Sequence, residues 1–535
     1  MADTLVPPDQ DIDHGLADMS TGARRWLLTV ACLAVSLVIS SMVALNTALP
    51  DIAVQTSATQ SQLTWIIDGY TLALACLLLP AGAFGDRYGR RGALLVGLAV
   101  FTLASAAPIL LHDPVPLIVA RAVAGAGAAF VMPATLSLLT AAYPRADRNK
   151  AVGAWAGVAG SGAVVGFLAT GILLHFWSWQ SIFWAFTAAG AGLFVLACTV
   201  SSSRDATAAP LDWVGAMLIG TAVALFVFGV LEAPARGWSH PVVCGAMAAG
   251  VALGAAFTVS QLHRRAPLLD VRLFARPDFA TGAIGVTVLF FANFGFFFVV
   301  MQYIQLVMGY SPLATAVALA PLIVPVLALS VATKWYLPRL GLRTTVTLGL
   351  LLIAVGLVSL RALHVGSPYL DLAWPLLILS TGIGLCTAPT TSAIMTAVPD
   401  EKQGVASAVN DTTRELGAAL GIAVAGSMLA STYATALTPA LADFPAPVRD
   451  RALGSLAEAL SVAERLGPRG QRLVEVAQDA FLHAMTTSVT ALAAVIVIAA
   501  LFVAVWAPGR DGAQWRAVRR LRMGRRPAAT GRHHR

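Results

Sequence analysis

Fourteen stretches of this chain are apolar over about 20 residues, the length a helix needs to cross a bilayer's hydrocarbon core. They lie near 26–49, 63–84, 93–111, 115–142, 151–176, 178–200, 213–231, 242–262, 279–301, 315–337, 344–362, 372–397, 405–431 and 484–506. In lipid every backbone N–H and C=O must be satisfied inside its own segment, so these stretches are predicted to be helices and the fold all-α. Composition agrees. Of the 535 residues 58% are hydrophobic and 12% charged, against the roughly 25% charged residues that cover a soluble domain.

Charge placement tests the count. With a cytoplasmic N-terminus, the inner segments carry Arg24 and Arg25; Arg87, Arg90 and Arg91; Arg145, Arg148 and Lys150; Arg204; Arg264, Arg265, Arg272 and Arg276; Lys334, Arg339 and Arg343; Lys402; and the tail from Arg510 to Arg535. The short outer loops carry Arg236 and Arg361. Basic residues mark cytoplasmic loops, so both termini are predicted to be cytoplasmic. A net charge of +8 gathered beside apolar spans reads as topology and anionic-lipid contact rather than nucleic-acid binding. Residues 1–20 are polar and acidic and the first apolar run is long enough to span, so it is expected to remain as an anchor. Cys32, Cys76, Cys198, Cys244 and Cys386 all sit in apolar stretches without a CxxC pair, and are read as small buried hydrophobes. The connection at 432–483 is long, mixes both charge signs and is predicted to form an extracytoplasmic helical hairpin or lid.

Two loops look related. Gly82-Ala-Phe-Gly-Asp86-Arg87-Tyr-Gly89-Arg90-Arg91 follows the second span, and Pro338-Arg339-Leu-Gly341-Leu-Arg343 follows the tenth as a decayed copy. Two six-helix halves with spans 7 and 8 between them account for fourteen. The segments are then an N-terminal tail (1–24), a first half (25–200), two additional helices (201–265), a second half (266–506) and a basic tail (507–535). Asp86 at the end of span 2 can pair with a nearby arginine or cap a helix N-terminus across the interface between halves. Gly82, Gly85 and Gly89 permit a tight turn and close approach.

Ionisable residues inside a membrane are costly and mark function or pairing. Asp68 lies in the outer part of span 2, flanked by Trp65 and Tyr70, which suits a lipophilic cation and equally an interfacial aromatic belt. Arg121 lies in span 4, and an arginine acts electrostatically because it does not deprotonate. Asp411 and Glu415 are four apart, hence on one helical face, with Arg414 beside them. Such a pair of acids can hold a proton and release it when a cation arrives; alternatively span 13 starts later and these charges lie at the cytoplasmic interface. Span 5 carries Gly153, Gly157, Gly160, Gly162, Gly166 and Gly171, a density of small residues that lets helices pack closely and slide.

The segment GAFGDRYGRRGAL resembles the cytoplasmic loop signature of major facilitator transporters. LNTALPDI (45–52), LTWIIDGYTLALACLLLPAG (63–82), ARAVAGAGAAFVMPATLSL (120–138), LDWVGAML (211–218), LEAPARGW (231–238), PLLDVRLF (267–274) and GVASAVNDTTRELGAALG (404–421) resemble its fourteen-helix drug:proton antiporter branch, the QacA/EmrB type. The resemblance spans about residues 25 to 506. It implies the major facilitator fold and a conformational latch built from Gly82, Asp86, Arg87, Gly89, Arg90 and Arg91. It assigns Asp68 to cation recognition and gives Arg121 a part in proton transfer, acting on a neighbouring carboxyl. It also implies an antiporter helix whose Gly157, Gly162 and Gly166 line the interface between halves. Four positions depart from the pattern. Ser41 stands where the branch has an Asp, Phe167 where it has the Pro after Gly166, Ala124 where it has a Gln, and Pro338 where the second loop has an Asp. The loss at Ser41 removes one expected proton or cation site and shifts weight to Asp68.

None of the three lysines, Lys150, Lys334 and Lys402, follows a glycine, so no P-loop is present. No His/Cys cluster suggests a metal and no nucleophile elbow suggests a hydrolase, so neither cofactor nor enzyme activity is expected. The reading is a monomeric, proton-coupled exporter of amphipathic, cationic compounds, and Trp65, Tyr70, Phe291, Phe294 and Tyr303 are candidate cavity residues that lipid-facing packing would explain as well. Its partners are those substrates, protons and membrane lipid. The Ala-, Gly- and Arg-rich composition matches a GC-rich bacterium, so the site of action is its cytoplasmic membrane. A dedicated exporter of one metabolite or lipid, and a non-transporting membrane sensor, are the competing readings.

Overall fold

A computed structural model describes residues 19–56, 60–110, 113–201, 212–264, 267–399, 402–441 and 444–510; the terminal tails expected at 1–24 and 507–535 lie largely outside them. Every regular element among the described residues is helical. Thirteen helical segments are long and apolar enough to cross a membrane. The fourteen expected runs all fall in these thirteen, because one segment, Leu313–Ala362, is 50 residues long and holds the runs at 315–337 and 344–362. As one straight helix it would measure about 75 Å, more than twice the hydrocarbon core. Two helices run into each other inside it at Gly341, whose φ of 76° and ψ of 164° are not helical and suit only glycine.

The first six helices are α1 (Thr21–Thr56), α2 (Gln60–Tyr88), α3 (Arg90–Leu110), α4 (Pro114–Ala142), α5 (Arg145–Phe176) and α6 (Gln180–Ala197). Then come α7 (Trp213–Arg236) and α8 (Pro241–His263). The second half holds α9 (Pro277–Gln302), α10 (Pro312–Leu319), α11 (Ile323–Ser359), α12 (Tyr369–Thr396) and α13 (Gln403–Leu437), two short helices α14 (Ala446–Gly454) and α15 (Leu456–Leu466), and α16 (Gln471–Trp506).

Packing repeats between the halves. α1 packs on α5 as α9 packs on α13; α2 packs on α4 as α11 packs on α12; α3 packs on α6 as α11 packs on α16. The seam between halves is built reciprocally, by α5 against α11 and α12 and by α13 against α2 and α4. Small residues permit the approach. A β-carbon at Gly153 would strike the Ser330 carbonyl, and one at Gly404 the Gly82 carbonyl.

The register of the decayed loop copy is visible in three dimensions. Gly89 (φ 114°) and Gly341 (φ 76°) each hold the positive-φ corner. Two residues on, Arg91 donates to the Cys198 carbonyl at the end of α6, and Arg343 donates from Nε to the Ala507 carbonyl at the end of α16, 2.8 Å away. Cations there satisfy orphan carbonyls and oppose the negative end of the helix dipole.

The additional helices cover one side of the seam. α7 packs on both α2 and α13, whereas α8 packs on α7 and shows most of its surface outward. Asp212 fastens the pair: it caps α7 by accepting from the Gly215 amide, and receives Gln261 Nε2 at 2.8 Å and Arg264 at 2.7 Å. The outer faces are apolar, with Leu103, Leu110, Met217 and Leu370 exposed, as a lipid-facing surface requires. The 432–483 segment forms α14 and α15, with Ser455 capping α15, and Tyr433 of α13 holds α14 by donating to the Ala452 carbonyl at 3.1 Å. These two helices pack beside α13 and α16, away from the residues that line the central cavity.

Candidate functional site

Three arrangements occupy the interface between halves, and each begins with a charged residue that the fold removes from water.

The first closes one end of the seam. α2 ends in a glycine-rich turn, and there Asp86, 6% exposed, accepts from Arg90 Nε at 3.0 Å and its Nη2 at 2.9 Å. It also accepts the backbone amides of Gly404 at 2.8 Å and Val405 at 3.0 Å. Those amides open α13 in the other half. The first amides of a helix have no internal partner and carry the positive end of its dipole, so a carboxylate there is strongly favoured. Gly82 and Gly404 make this possible, since a β-carbon on Gly82 would collide with the Gly404 carbonyl and one on Gly404 with Asp86. Arg91 is used on α6, and Arg87 stacks over Tyr88 at 5.4 Å.

The second is a cavity of about 270 Å³, toward the opposite end of the seam. From Asp86 to Asp68 is 18 residues of α2, about 27 Å. Asp68 lines the cavity with Thr71, Met42, Phe167, Leu231, Phe294, Phe297, Met301, Gln302 and Gln305 among others. Apolar walls with a few polar groups are the usual composition of a small-molecule site. Asp68 makes no hydrogen bond or ion pair among the described residues.

The third is a buried charged cluster in α13. Helix formation begins at Gln403, so Asp411, Arg414 and Glu415 lie in the third and fourth turns, 0%, 3% and 3% exposed. These groups are buried inside the helix bundle. Arg414 Nη1 is 3.5 Å from Asp411, which also accepts from Asn410 Nδ2 at 3.1 Å. The guanidinium sits over the Phe290 ring at 4.4 Å and the Trp155 ring at 5.6 Å. One oxygen each of Asp411 and Glu415, and two nitrogens of Arg414, have no hydrogen-bond partner.

Arg121 forms a separate node in α4. It donates from Nε to the Ile66 carbonyl at 3.1 Å, from Nη1 to Ser41 Oγ at 2.9 Å and from Nη2 to the Ser41 carbonyl at 2.9 Å, with its guanidinium 4.2 Å from the Tyr70 ring. No carboxylate pairs with it among the described residues. The neighbouring carboxyl expected for its role is therefore absent, because Ser41 occupies that place.

Of the five aromatics expected at the cavity, Phe294 lines it. Trp65 instead stacks on Phe228 of α7 at 5.9 Å. Tyr70 turns inward, under Arg121, and its hydroxyl donates to the Val38 carbonyl at 3.0 Å. Phe291 is buried where its backbone meets Gly421, and Tyr303 donates to the His364 carbonyl at 3.1 Å. Asp68 is thus not sandwiched by Trp65 and Tyr70: Tyr70, two positions on, projects to another side of the helix, and Trp65, one turn back on the same side, is taken up by Phe228. The span-5 glycines also divide. Gly157 faces Ser330 of the other half, whereas Gly162 and Gly166 face Ile39 and Ser40 of α1 within their own half.

Sequence reasoning missed Phe167, Phe297, Gln302 and Gln305 in the cavity wall. The signal for the glutamines was there, two amides in an apolar run. A π-helical turn at Tyr303–Val307 continues α9, and Gln302 and Gln305 flank its start.

The profile of the Major Facilitator Superfamily matches residues 31–422. The chain belongs to that superfamily. Among its relatives, it is 32% identical over 498 residues to the multidrug resistance protein Stp of Mycobacterium tuberculosis, covering 90% of this chain and 92% of that one. It is 31% identical over 494 residues to the methyl viologen resistance protein SmvA of Salmonella typhimurium, covering 90% and 98%. It is 29% identical over 489 residues to the tetracenomycin C resistance and export protein of Streptomyces glaucescens, covering 89% and 90%. In fold, the transporter is similar to the proton:xylose symporter XylE, with a TM-score of 0.58 at 15% identity over 94% of this chain and all of that one. The transporter is a multi-pass protein of the bacterial cytoplasmic membrane.

Proposed function

We propose that the transporter exports amphipathic, cationic compounds in exchange for protons, working as a monomer without covalent chemistry. The observation that carries this reading is Asp68, an unpaired acid in the wall of an apolar and aromatic cavity between the halves. A lone carboxylate in such surroundings is expensive unless a proton or a cation neutralises it. Competition between the two for one group couples their movements in opposite directions. Kinship to proteins named for multidrug resistance and for drug efflux supports the export direction.

In this reading the chain crosses the membrane fourteen times with both termini cytoplasmic, the Leu313–Ala362 segment crossing twice. Asp86, with Gly82, Arg87, Gly89, Arg90 and Arg91, latches the cytoplasmic end while the cavity communicates with the outside. Asp411, Arg414 and Glu415 form the second proton-handling group, reached from the inner side when the latch opens. Arg121 positions Ser41 and the Ile66 carbonyl near the base of the cavity, and its charge acts on protons entering there. The membrane potential contributes about 2.3 kcal/mol per charge per 100 mV.

The test is ethidium efflux from energised cells, with and without a protonophore, beside Asp68→Asn. Protonophore-sensitive efflux that disappears in the variant is expected. Efflux that persists in Asp68→Asn would remove this residue from the mechanism, and efflux indifferent to protonophore would remove proton coupling.

A further inference from the structure

The central cavity carries polar side chains from both halves. Asp68 and Thr71 lie three apart on α2, in the first half. Gln302 and Gln305 lie three apart in the second half, the one ending α9 and the other inside the π-helical turn that continues it. The face of α9 that leads up to them is apolar: Phe294, Phe297, Phe298 and Met301 line the same cavity at the three- and four-residue spacing of one helix side. A ligand that fills the cavity therefore meets a carboxylate and a hydroxyl from one half, and two amides from the other.

The hydrogen bonding of the amides sets them apart from wall packing. Gln302 donates from Nε2 to the Phe298 carbonyl at 3.0 Å. A carbonyl only accepts, so this bond fixes which end of the amide is used and leaves Oε1 as an open acceptor. Gln305 makes no hydrogen bond among the described residues, so its donors and its acceptor are all open to the cavity. A ligand that covers these atoms with alkyl carbon takes them out of water unpaired and loses affinity. A ligand that pairs them keeps it, and a few placed polar groups in an apolar pocket are what fix a small molecule's orientation.

We propose that Gln302 and Gln305 form a subsite for an uncharged hydrogen-bonding group of the carboxamide type, carried by the substrate away from its cationic centre. This deepens the reading of Asp68 as the cation site of the same cavity and rests on it. Gln305 pairs with the ligand amide in both directions: Nε2 donates to the ligand carbonyl and Oε1 accepts one ligand N–H. Oε1 of Gln302 accepts the second N–H. Thr71, one turn from Asp68, belongs to the charged end. The two ends of a substrate are thus recognised by different halves, the cation by the first and the amide by the second.

Equilibrium dialysis on the purified full chain reads this without a proton gradient. Two probes share a trimethylammonium head on a five-carbon spacer. One ends in a carboxamide and the other in an isopropyl group of the same shape. Gln305→Leu is expected to shift the ratio of the two affinities about tenfold toward the isopropyl probe, the size of two neutral hydrogen bonds. Gln305→Met keeps the length of the side chain without its amide and is expected to give the same shift, so the result does not hang on how one variant folds. Gln302→Leu removes one acceptor and is expected to shift the ratio about threefold in the same direction. Asp68→Asn is expected to weaken both probes together and leave their ratio unchanged. A ratio unmoved by both Gln305 variants overturns the proposal, and so do parallel losses of both probes, which a purely structural role for Gln305 would give. A shift in the Gln305 variants with both affinities unchanged in Asp68→Asn leaves the amide subsite standing and removes Asp68 as the cation site. Binding of neither probe to the wild type overturns the two sites together.

Discussion

Asp86 and Gly404 are 318 residues apart in the chain and 2.8 Å apart in the structure, carboxylate oxygen to backbone nitrogen. The bond joins the end of a helix in one half to the start of a helix in the other. Opening that end of the seam has to break it together with the Val405 bond, and close packing of Gly82 on Gly404 leaves no room for a substitute side chain. Asp86→Asn retains one acceptor and loses the charge, which is expected to weaken the closed state by about 1–3 kcal/mol. Cysteines placed at the cytoplasmic end of the seam should then react faster with a membrane-impermeant maleimide in inverted vesicles. An unchanged rate would mean that the bond does not hold the seam.

Gly82→Ala is a sharper version of the same test. Its methyl must push α2 and α13 apart, so export should fall while the purified protein still folds. Gly92→Ala is the control, since nothing lies within 4 Å of a β-carbon there. The pair is compared by ethidium efflux at matched expression.

Arg121 uses a fork of three donors on Ser41 and the Ile66 carbonyl while its flat face rests near Tyr70. A lysine keeps the charge but has neither the fork nor the plane. Arg121→Lys is therefore expected to lose most export and to lower the melting temperature in detergent. Full activity in that variant would show that charge alone matters.

In the α13 cluster, Asp411→Asn leaves Arg414 buried against two aromatic rings with its ion-pair partner gone. Breaking a buried pair this way typically costs about 3–5 kcal/mol. Glu415→Gln removes a carboxylate that makes no ion pair among the described residues, and is expected to cost much less stability. Both should abolish proton-driven exchange, measured as substrate-induced alkalinisation or acidification in proteoliposomes. Comparable melting temperatures for the two variants would contradict the assigned pairing.

Phe167 stands against Phe297 at 6.2 Å in the cavity wall. Phe167→Ala removes one side of that contact and enlarges the cavity. Bulky cations should gain and small ones lose affinity, by about 0.5–1.5 kcal/mol for the aromatic contact alone. Resistance profiles across a size series of quaternary ammonium compounds read this directly.

Much of the fold was legible in the sequence because lipid leaves the chain few choices. A run of apolar residues long enough to cross must be a helix, and each of the fourteen runs is helical. The loop signature was legible for a related reason. Gly82, Asp86 and Gly89 are residue types that a close crossing, a helix cap and a positive-φ corner each demand, and the Gly341–Arg343 echo survived even where Asp gave way to Pro338. Local chemistry of this kind is written along the chain.

What the sequence did not determine was which side of each helix meets which neighbour. Hydrophobic patterning orients a helix in water, but in a membrane both the lipid side and the core side are apolar, so the pattern carries little orientation. Tyr70 and Trp65 flank Asp68 in sequence yet leave it for Arg121 and Phe228, and Gly162 and Gly166 turn from the seam that Gly157 faces. The cavity wall and the absence, among the described residues, of any carboxylate beside Arg121 were decided by tertiary packing, where residues hundreds of positions apart come within a few ångströms.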